Sequence, residues 1–179
     1  MWIWVFTMVG VIFLDQFTKW LAVLFLQGQA SAVIIPGALQ LTYLENTGAA
    51  FGILKDHRWV FLVLSTLAII GVMVYMWLCK PKSRLLCLAL SMIVGGGVGN
   101  MIDRVILGYV VDFVDFCLIH FAIFNVADIF VCVGAGLLAL YVILETVKEE
   151  KVRRAAAAAG GGKNADGTNA DRSGTDEHV

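Results

Sequence analysis

Two aspartates, Asp112 in "GYVVDFVDF" and Asp128 in "FAIFNVADIF", lie sixteen positions apart, where one long apolar run has ended and the next is beginning. An ionised carboxylate beside hydrocarbon is costly and marks a functional position there. Two carboxylates held close repel as anions and tend to share a proton, so one acts as general base while the other acts as general acid. Such a pair activates water against an amide carbonyl and protonates the leaving nitrogen with no covalent intermediate. Other readings stay open on residue type alone. Each aspartate also suits capping a helix or meeting Arg104, and the pair also suits carrying an ion or proton in a transporter, channel subunit or lipid-binding scaffold. Asp112, Asp128 and Asn125 offer hard oxygen ligands to a divalent cation, but no motif fixes a metal, and neither metal nor cofactor is expected. A serine mechanism is the poorer fit, because His57, His120 and His178 are scattered and Ser91 meets Lys19 only by a chance of packing.

The elements that must position these groups follow from composition. The 179 residues are 60% hydrophobic and 15% charged, which defines an integral membrane protein. Four apolar runs of helical spanning length are expected near Trp2 to Leu26, Trp59 to Cys79, Leu85 to Leu107 and Phe121 to Val147. The first does not read as a cleavable signal peptide, since it lacks a basic leader and carries Asp15 and Lys19 within its body. Basic residues cluster in "KPKSR" from Lys80 to Arg84 and again in Lys148, Lys151, Arg153 and Arg154. The positive-inside rule then predicts both termini in the cytoplasm, with residues 27–58 and 108–120 facing outward. The same distribution leaves no nucleic-acid footprint.

The segment 27–58 is too polar to span, and its β-branched and aromatic residues alternate with Gly and Pro, which predicts short strands and turns on the membrane surface. It suits a substrate cradle and equally an inert cap. Residues 1–154 are expected to form one membrane domain of all-α type, with four transmembrane helices and this small strand and loop subdomain between the first two. Residues 155–179 are expected to be a disordered cytoplasmic tail, with the alanine run able to extend the fourth helix. The four cysteines have no ligand-like spacing and read as small buried hydrophobes.

Several further residues have roles that compete with bland ones. Asp15 and Lys19 share one helix face, so an intrahelical ion pair lowers their desolvation cost. Asn46 and Asn100 have the paired donors and acceptors to hold a loop or substrate backbone, or to satisfy a local turn. Asn125 precedes Asp128 by three positions and suits either hydrogen bonding to an aspartate or capping the helix. Arg104 and its neighbour Asp103 do not face each other on a helix, so Arg104 is expected to pair elsewhere or to meet lipid phosphate, and its charge suits lowering the pKa of a nearby aspartate. Glycines 95, 96, 97 and 99 permit close helix approach and, with Gly48 and Gly52, room for an extended peptide. Phe51 falls on the outward lip, as a cover for the pair, a substrate contact or a surface anchor.

Four blocks together carry a resemblance: "DQFTKW" from Asp15, "ENTGAAFGIL" from Glu45, "GGGVGNMIDRVILGYVVDF" from Gly95 and "FNVADIF" from Phe124. In this order, with four spans, the chain resembles the bacterial lipoprotein signal peptidases of type II. The resemblance implies an aspartic endopeptidase of the bacterial cytoplasmic membrane that removes signal peptides from prolipoproteins. It implies cleavage on the N-terminal side of the cysteine already modified with diacylglycerol. It assigns the catalytic pair to Asp112 and Asp128, and places Asp15, Lys19, Asn46, Gly48, Asn100, Asp103, Arg104 and Asn125 at positions tied to activity or site architecture. Asp115 falls outside the pair. The chain departs from many members at Ala122, where they have Pro, and at Gly97, where they have Ala. A site near the outer surface, with lateral entry of a lipid-bearing substrate into a monomer, completes the expectation; prolipoprotein and membrane lipid are the expected partners.

Overall fold

The computed structural model describes residues 2–48, 58–119 and 121–161. Among them are four long helices, α1 (Trp2–Leu26), α2 (Arg58–Cys79), α3 (Arg84–Ile106) and α4 (Val126–Gly161). Each contains an apolar stretch of at least 18 residues, enough to cross a hydrocarbon layer of about 30 Å. Large apolar side chains point outward along α1, α2 and α4, among them Phe6, Leu64, Trp77 and Ile143. A surface of this kind requires lipid rather than water as its solvent. The protein is a multi-pass membrane protein, as composition and run length predicted.

The described residues up to Ala139 belong to one compact unit and those from Leu140 onward to a second. Within the first, α3 is the most enclosed helix, and both α1 and α2 pack on it. Glycines make two of its approaches possible. A Cβ on Gly96 would stand 2.5 Å from the backbone oxygen of Ala127 in α4, and one on Gly95 would stand 2.8 Å from Val11 Cβ in α1. At Gly97 the added carbon would meet only the end of Ile69, at 3.3 Å, so an alanine is nearly accommodated there. In the second unit the described residues continue α4 through the alanine run to Gly161, with exposed ion pairs Lys148–Glu145 and Arg154–Glu150.

Strands β1 (Ala32–Ile35) and β2 (Leu39–Asn46) form the expected subdomain between α1 and α2. Their hairpin turns on Pro36 and Gly37. Gly37 has φ 72°, and Ala38 N donates to Ile35 O at 3.0 Å, the chemistry of a turn with Pro first and a left-handed residue second. A third strand, β3 (Val110–Phe116), was not anticipated in the connection 108–120. It pairs antiparallel with β2, giving the order β1-β2-β3 with Leu44 opposite Asp112 and Asn46 opposite Val110. Val111 and Phe113 pack with Ala22 and Leu26, so the sheet is seated on the last turns of α1.

Two details differ from the sequence expectations. Helix α4 starts at Val126 rather than Phe121, because Phe124 is spent on a bridge to Val114 in β3 and Asn125 serves as the cap. Of the cysteines, all free, only Cys87 is buried in protein; Cys79 and Cys132 are exposed on the apolar helices α2 and α4.

Crowding by a single methyl separates packing glycines from idle ones. Gly96→Ala is expected to cost about 1–3 kcal/mol through overpacking against α4 and to lower the thermal midpoint in detergent by several degrees. Gly10→Ala, where nothing lies within 4 Å, is expected to leave the midpoint unchanged or slightly raised.

Candidate active site

The start of α4 fixes one aspartate. Asn125 is the residue before the helix; its Oδ1 accepts the backbone N–H of Asp128 at 3.0 Å, and Asp128 Oδ2 accepts the backbone N–H of Asn125 at 3.1 Å. This reciprocal arrangement is a capping box with aspartate at the third helical position, and it holds the Asp128 carboxylate at the positive end of the helix. The other aspartate comes from β3. Asp112, 1% exposed, accepts from Asn46 Nδ2 at 2.7 Å and from Asn125 Nδ2 at 2.6 Å, one amide on each oxygen. Asn125 therefore touches both carboxylates. The bridge between Phe124 and Val114, with backbone hydrogen bonds of 2.8–3.1 Å, draws the two elements together just beside it.

Asn100 of α3 closes the network. Its Nδ2 donates to Asp128 Oδ1 at 2.8 Å, while its Oδ1 accepts from Asn125 at 3.0 Å and from Lys19 Nζ at 2.9 Å. Lys19, 3% exposed, gives its other two protons to Asp15 Oδ2 at 2.9 Å and Asp103 Oδ2 at 3.1 Å. Asp15 Oδ1 then takes the N–H of Ala127 at 2.9 Å, and Asp103 Oδ2 also takes the N–H of Val111 at 3.1 Å. No buried side-chain nitrogen or oxygen among the described residues lacks a partner. Gly99 belongs here as well, because a Cβ on it would collide with the Asp15 carboxylate.

The residues singled out by sequence fall out as follows. Asp15, Lys19, Asn46, Asn100, Asp103, Asp112, Asn125 and Asp128 join in one connected network. Gly48 donates its N–H to Asn46 Oδ1 at 3.0 Å, locking the turn that aims the Asn46 amide at Asp112, so the local-turn and site roles of Asn46 coincide. Arg104 Nη1 reaches Asn100 O at 3.4 Å, and its charge acts on Asp128, Asp112 and Asp103. Phe51 lies outside the described residues, as do His57, His120 and His178. Asp115 is elsewhere, accepting from Gln40 at 2.7 Å at the far end of β3. Ser91 donates to Cys87 O at 2.7 Å and takes no part. No His, Cys, Asp and Glu cluster suited to a metal occurs among the described residues.

One member had no role on sequence grounds. Gln16 Nε2 donates to Asp103 Oδ1 at 2.9 Å and Gly99 O at 3.1 Å, tying α1 to α3 beside the ionic group. Its only signal was its place inside "DQFTKW", since neighbours in sequence on a helix do not share a face.

Electrostatically the site has an excess of acid: four aspartates face two cations, Lys19 and Arg104. Loss of hydration pushes the Asp112 carboxyl up to about 6, the Asn46 and Asn125 amides opposing this and the charge of Asp128 adding to it. A carboxyl held there exchanges its proton near neutrality, as general acid and base chemistry requires.

A multi-pass helical membrane protein with two aspartates clasped by shared amides at one end of its helices is the class that fold and site define: a membrane protein equipped for acid and base chemistry. Comparisons narrow it. Residues 7–144 match the family described as signal peptidase (SPase) II. A lipoprotein signal peptidase of Brevibacillus brevis is 45% identical over 146 residues, covering 81% of this chain and 98% of the relative. One from Symbiobacterium thermophilum is 48% identical over 134 residues, covering 73% and 87%. A solved bacterial membrane enzyme at 2.3 Å superposes with TM-score 0.74 and 29% identity over 82% of this chain and 90% of its own. The chain belongs to the signal peptidase II family.

Two measurements probe the network. Lys19→Met leaves Asp15 and Asp103 buried without their cation and is expected to destabilise by about 3–5 kcal/mol, seen as loss of the folded monodisperse species in detergent. The pH dependence has a definite sign for Asp112. Its folded value of about 6 lies above the ordinary 3.8, so its contribution to stability is present below about pH 4 and is lost as pH rises through 6. The thermal midpoint of wild type is expected to fall relative to that of Asp112→Asn between pH 4 and 7.

Proposed function

We propose that Asp112 and Asp128 are the catalytic pair with which this chain carries out signal peptidase II chemistry. The activity is that of an aspartic endopeptidase: it cleaves the signal peptide from diacylglyceryl-modified prolipoproteins on the N-terminal side of the lipidated cysteine. The observation that carries the assignment is Asn125, whose side chain donates to Asp112 while its backbone and carbonyl oxygen clasp Asp128. No other aspartates in the network share a partner in this way while leaving one carboxylate partly accessible, as Asp128 is. Asp15 and Asp103 are enclosed and spoken for by Lys19.

In this reading the ionised member of the pair takes a proton from water as the oxygen attacks the scissile carbonyl carbon. The protonated member hydrogen-bonds the carbonyl oxygen, which carries the developing charge. As the tetrahedral intermediate collapses, the carbon–nitrogen bond breaks and a carboxyl proton passes to the leaving amine, returning the pair to one shared proton. Asn46 and Asn125 orient Asp112, Asn100 orients Asp128, and the Lys19 group holds α1, α3 and α4 in the register that this needs.

Orientation follows from charge. The basic loop from Lys80 to Arg84 and the carboxylate pair lie at opposite ends of α3, which supports a site near the outer surface with both termini in the cytoplasm. A substrate whose acyl chains belong in lipid enters laterally, and the enzyme acts as a monomer. Residues 1–154 are taken as the peptidase domain and 155–179 as its cytoplasmic extension.

Purified protein is to be incubated with a diacylglyceryl-modified prolipoprotein and the released peptide weighed by mass spectrometry. Wild type is expected to cut before the lipidated cysteine, and Asp112→Asn and Asp128→Asn to lose at least about 10³-fold in rate. Cleavage surviving in either folded variant removes the pair from the mechanism. Asn46→Ala takes away a donor that favours the ionised form of Asp112, so the pH limb governed by this carboxyl is expected to move upward.

A further inference from the structure

Far from the carboxylates, the structure has an opening that hydrolysis does not use. Helices α1 and α2 each pack on α3, and near the start of α1 a cleft of about 400 Å³ lies between them. Its walls are Trp4 and Met8 from α1, Met73, Met76 and Trp77 from α2, and Cys87 from α3. Trp4 is eleven residues from Asp15, roughly 16 Å along the helix axis, so this cleft and the ionic network are separate places. The lining is almost wholly apolar, and thioethers adapt readily to a flexible chain.

Charge appears only at the rim. Lys80 and Pro81 border the cleft, and the short loop that contains them also presents Lys82 and leads into Arg84. All three cations are exposed, and none makes an ion pair with an acid among the described residues. The loop is held in place: Cys87 Sγ contacts Pro81 O at 3.3 Å, and Ser83 caps α3 by accepting from Leu86 N at 3.3 Å. Lys80 itself has φ 43°, a left-handed conformation in which glycine is the residue of least strain. A lysine retained there keeps a cation beside the cleft at a conformational cost. Trp77, largely exposed, lies three positions before Lys80, and indole rings favour the interface between headgroups and hydrocarbon.

We propose that this cleft binds an anionic phospholipid of the leaflet opposite the carboxylate pair, with an acyl chain between α1 and α2 and the phosphate on Lys80, Lys82 and Arg84. Two independent features select this occupant. The slot is lined by apolar side chains, which suits an acyl chain, and three cations beside its rim, unpaired with any acid among the described residues, complement a phosphodiester carrying net negative charge. A zwitterionic lipid fills the slot equally well but leaves the cations unmatched. The bound lipid would brace α1 against α2, which otherwise meet chiefly through α3.

The test is native mass spectrometry of the full chain released from mixed micelles containing equal amounts of phosphatidylglycerol and phosphatidylcholine. Wild type is expected to retain one phosphatidylglycerol in preference to phosphatidylcholine by roughly tenfold. Lys80→Gly keeps the turn, because glycine adopts φ 43° freely, and is expected to reduce that preference several-fold. Met73→Trp fills the slot without touching the charges and is expected to abolish retention of both lipids. Prolipoprotein cleavage measured in phosphatidylcholine micelles should be unchanged in both variants, which shows that they are folded. Equal retention of the two lipids overturns the proposal in favour of generic boundary lipid. Retention that survives Met73→Trp overturns it in favour of surface attraction alone, and a dimer in place of a lipid adduct overturns it in favour of a second copy of the chain.

Discussion

The structure hangs on one buried ammonium. Lys19 has three protons and three acceptors, supplied by Asp15 on its own helix and by Asn100 and Asp103 on α3. Each of those acceptors is then committed to something else: Asp15 to the first turn of α4, Asp103 to the start of β3, and Asn100 to Asp128. One cation thus joins the three spanning helices that bear the site, and the strand that bears Asp112. Ionic groups are expensive away from water, and their attraction offsets that cost only when their protons and acceptors are paired, as each of the three Lys19 protons is here. A geometry so fully specified cannot relax by degrees, so the positions of Asp112 and Asp128 are held along with it.

Small residues make that arrangement sterically possible. Gly99 leaves space for the Asp15 carboxylate, and Gly96 lets the backbone of α4 approach α3 at Ala127, whose N–H is the one Asp15 receives. The helix contact and the hydrogen bond are two descriptions of the same close approach. In lipid, where no hydrophobic difference favours helix against helix, close packing of this kind and internal polar pairing are what remain to drive association. The same absence of protein-side burial explains why α2 and α4 display so many exposed Leu, Val and Ile: their partner is the bilayer.

Much of the site was legible because membrane sequences are nearly silent outside their functional positions. Asp15, Lys19, Asp103, Asp112 and Asp128 stand out against apolar runs, and the i, i+4 spacing of Asp15 and Lys19 predicts the ion pair that is found at 2.9 Å. Asn125 read equally as a cap or as a partner of an aspartate; it is both, because an amide has two ends. The third strand was not legible. "VVDFVDF" lies between two spans and alternates weakly, and its partner β2 is more than sixty residues away, so nothing local marks it as paired. Gln16 was missed for a related reason: its partners sit on α3, over eighty residues distant.

Sequence by itself determined the solvent, the number and rough limits of the spans and the presence of a strand subdomain after the first, because each rests on composition, run length or local spacing; it also set Asp112 and Asp128 apart as carboxylates beside apolar runs. Tertiary structure alone decided that β3 completes the sheet, that Asn46 from β2 and Asn125 before α4 grip opposite oxygens of Asp112, and that Lys19 serves Asp103 as well as Asp15. Those pairings join residues from 13 to 84 positions apart. Hydrogen bonds and ion pairs depend on distance in space, and a linear pattern contains no record of which helix face will meet which strand.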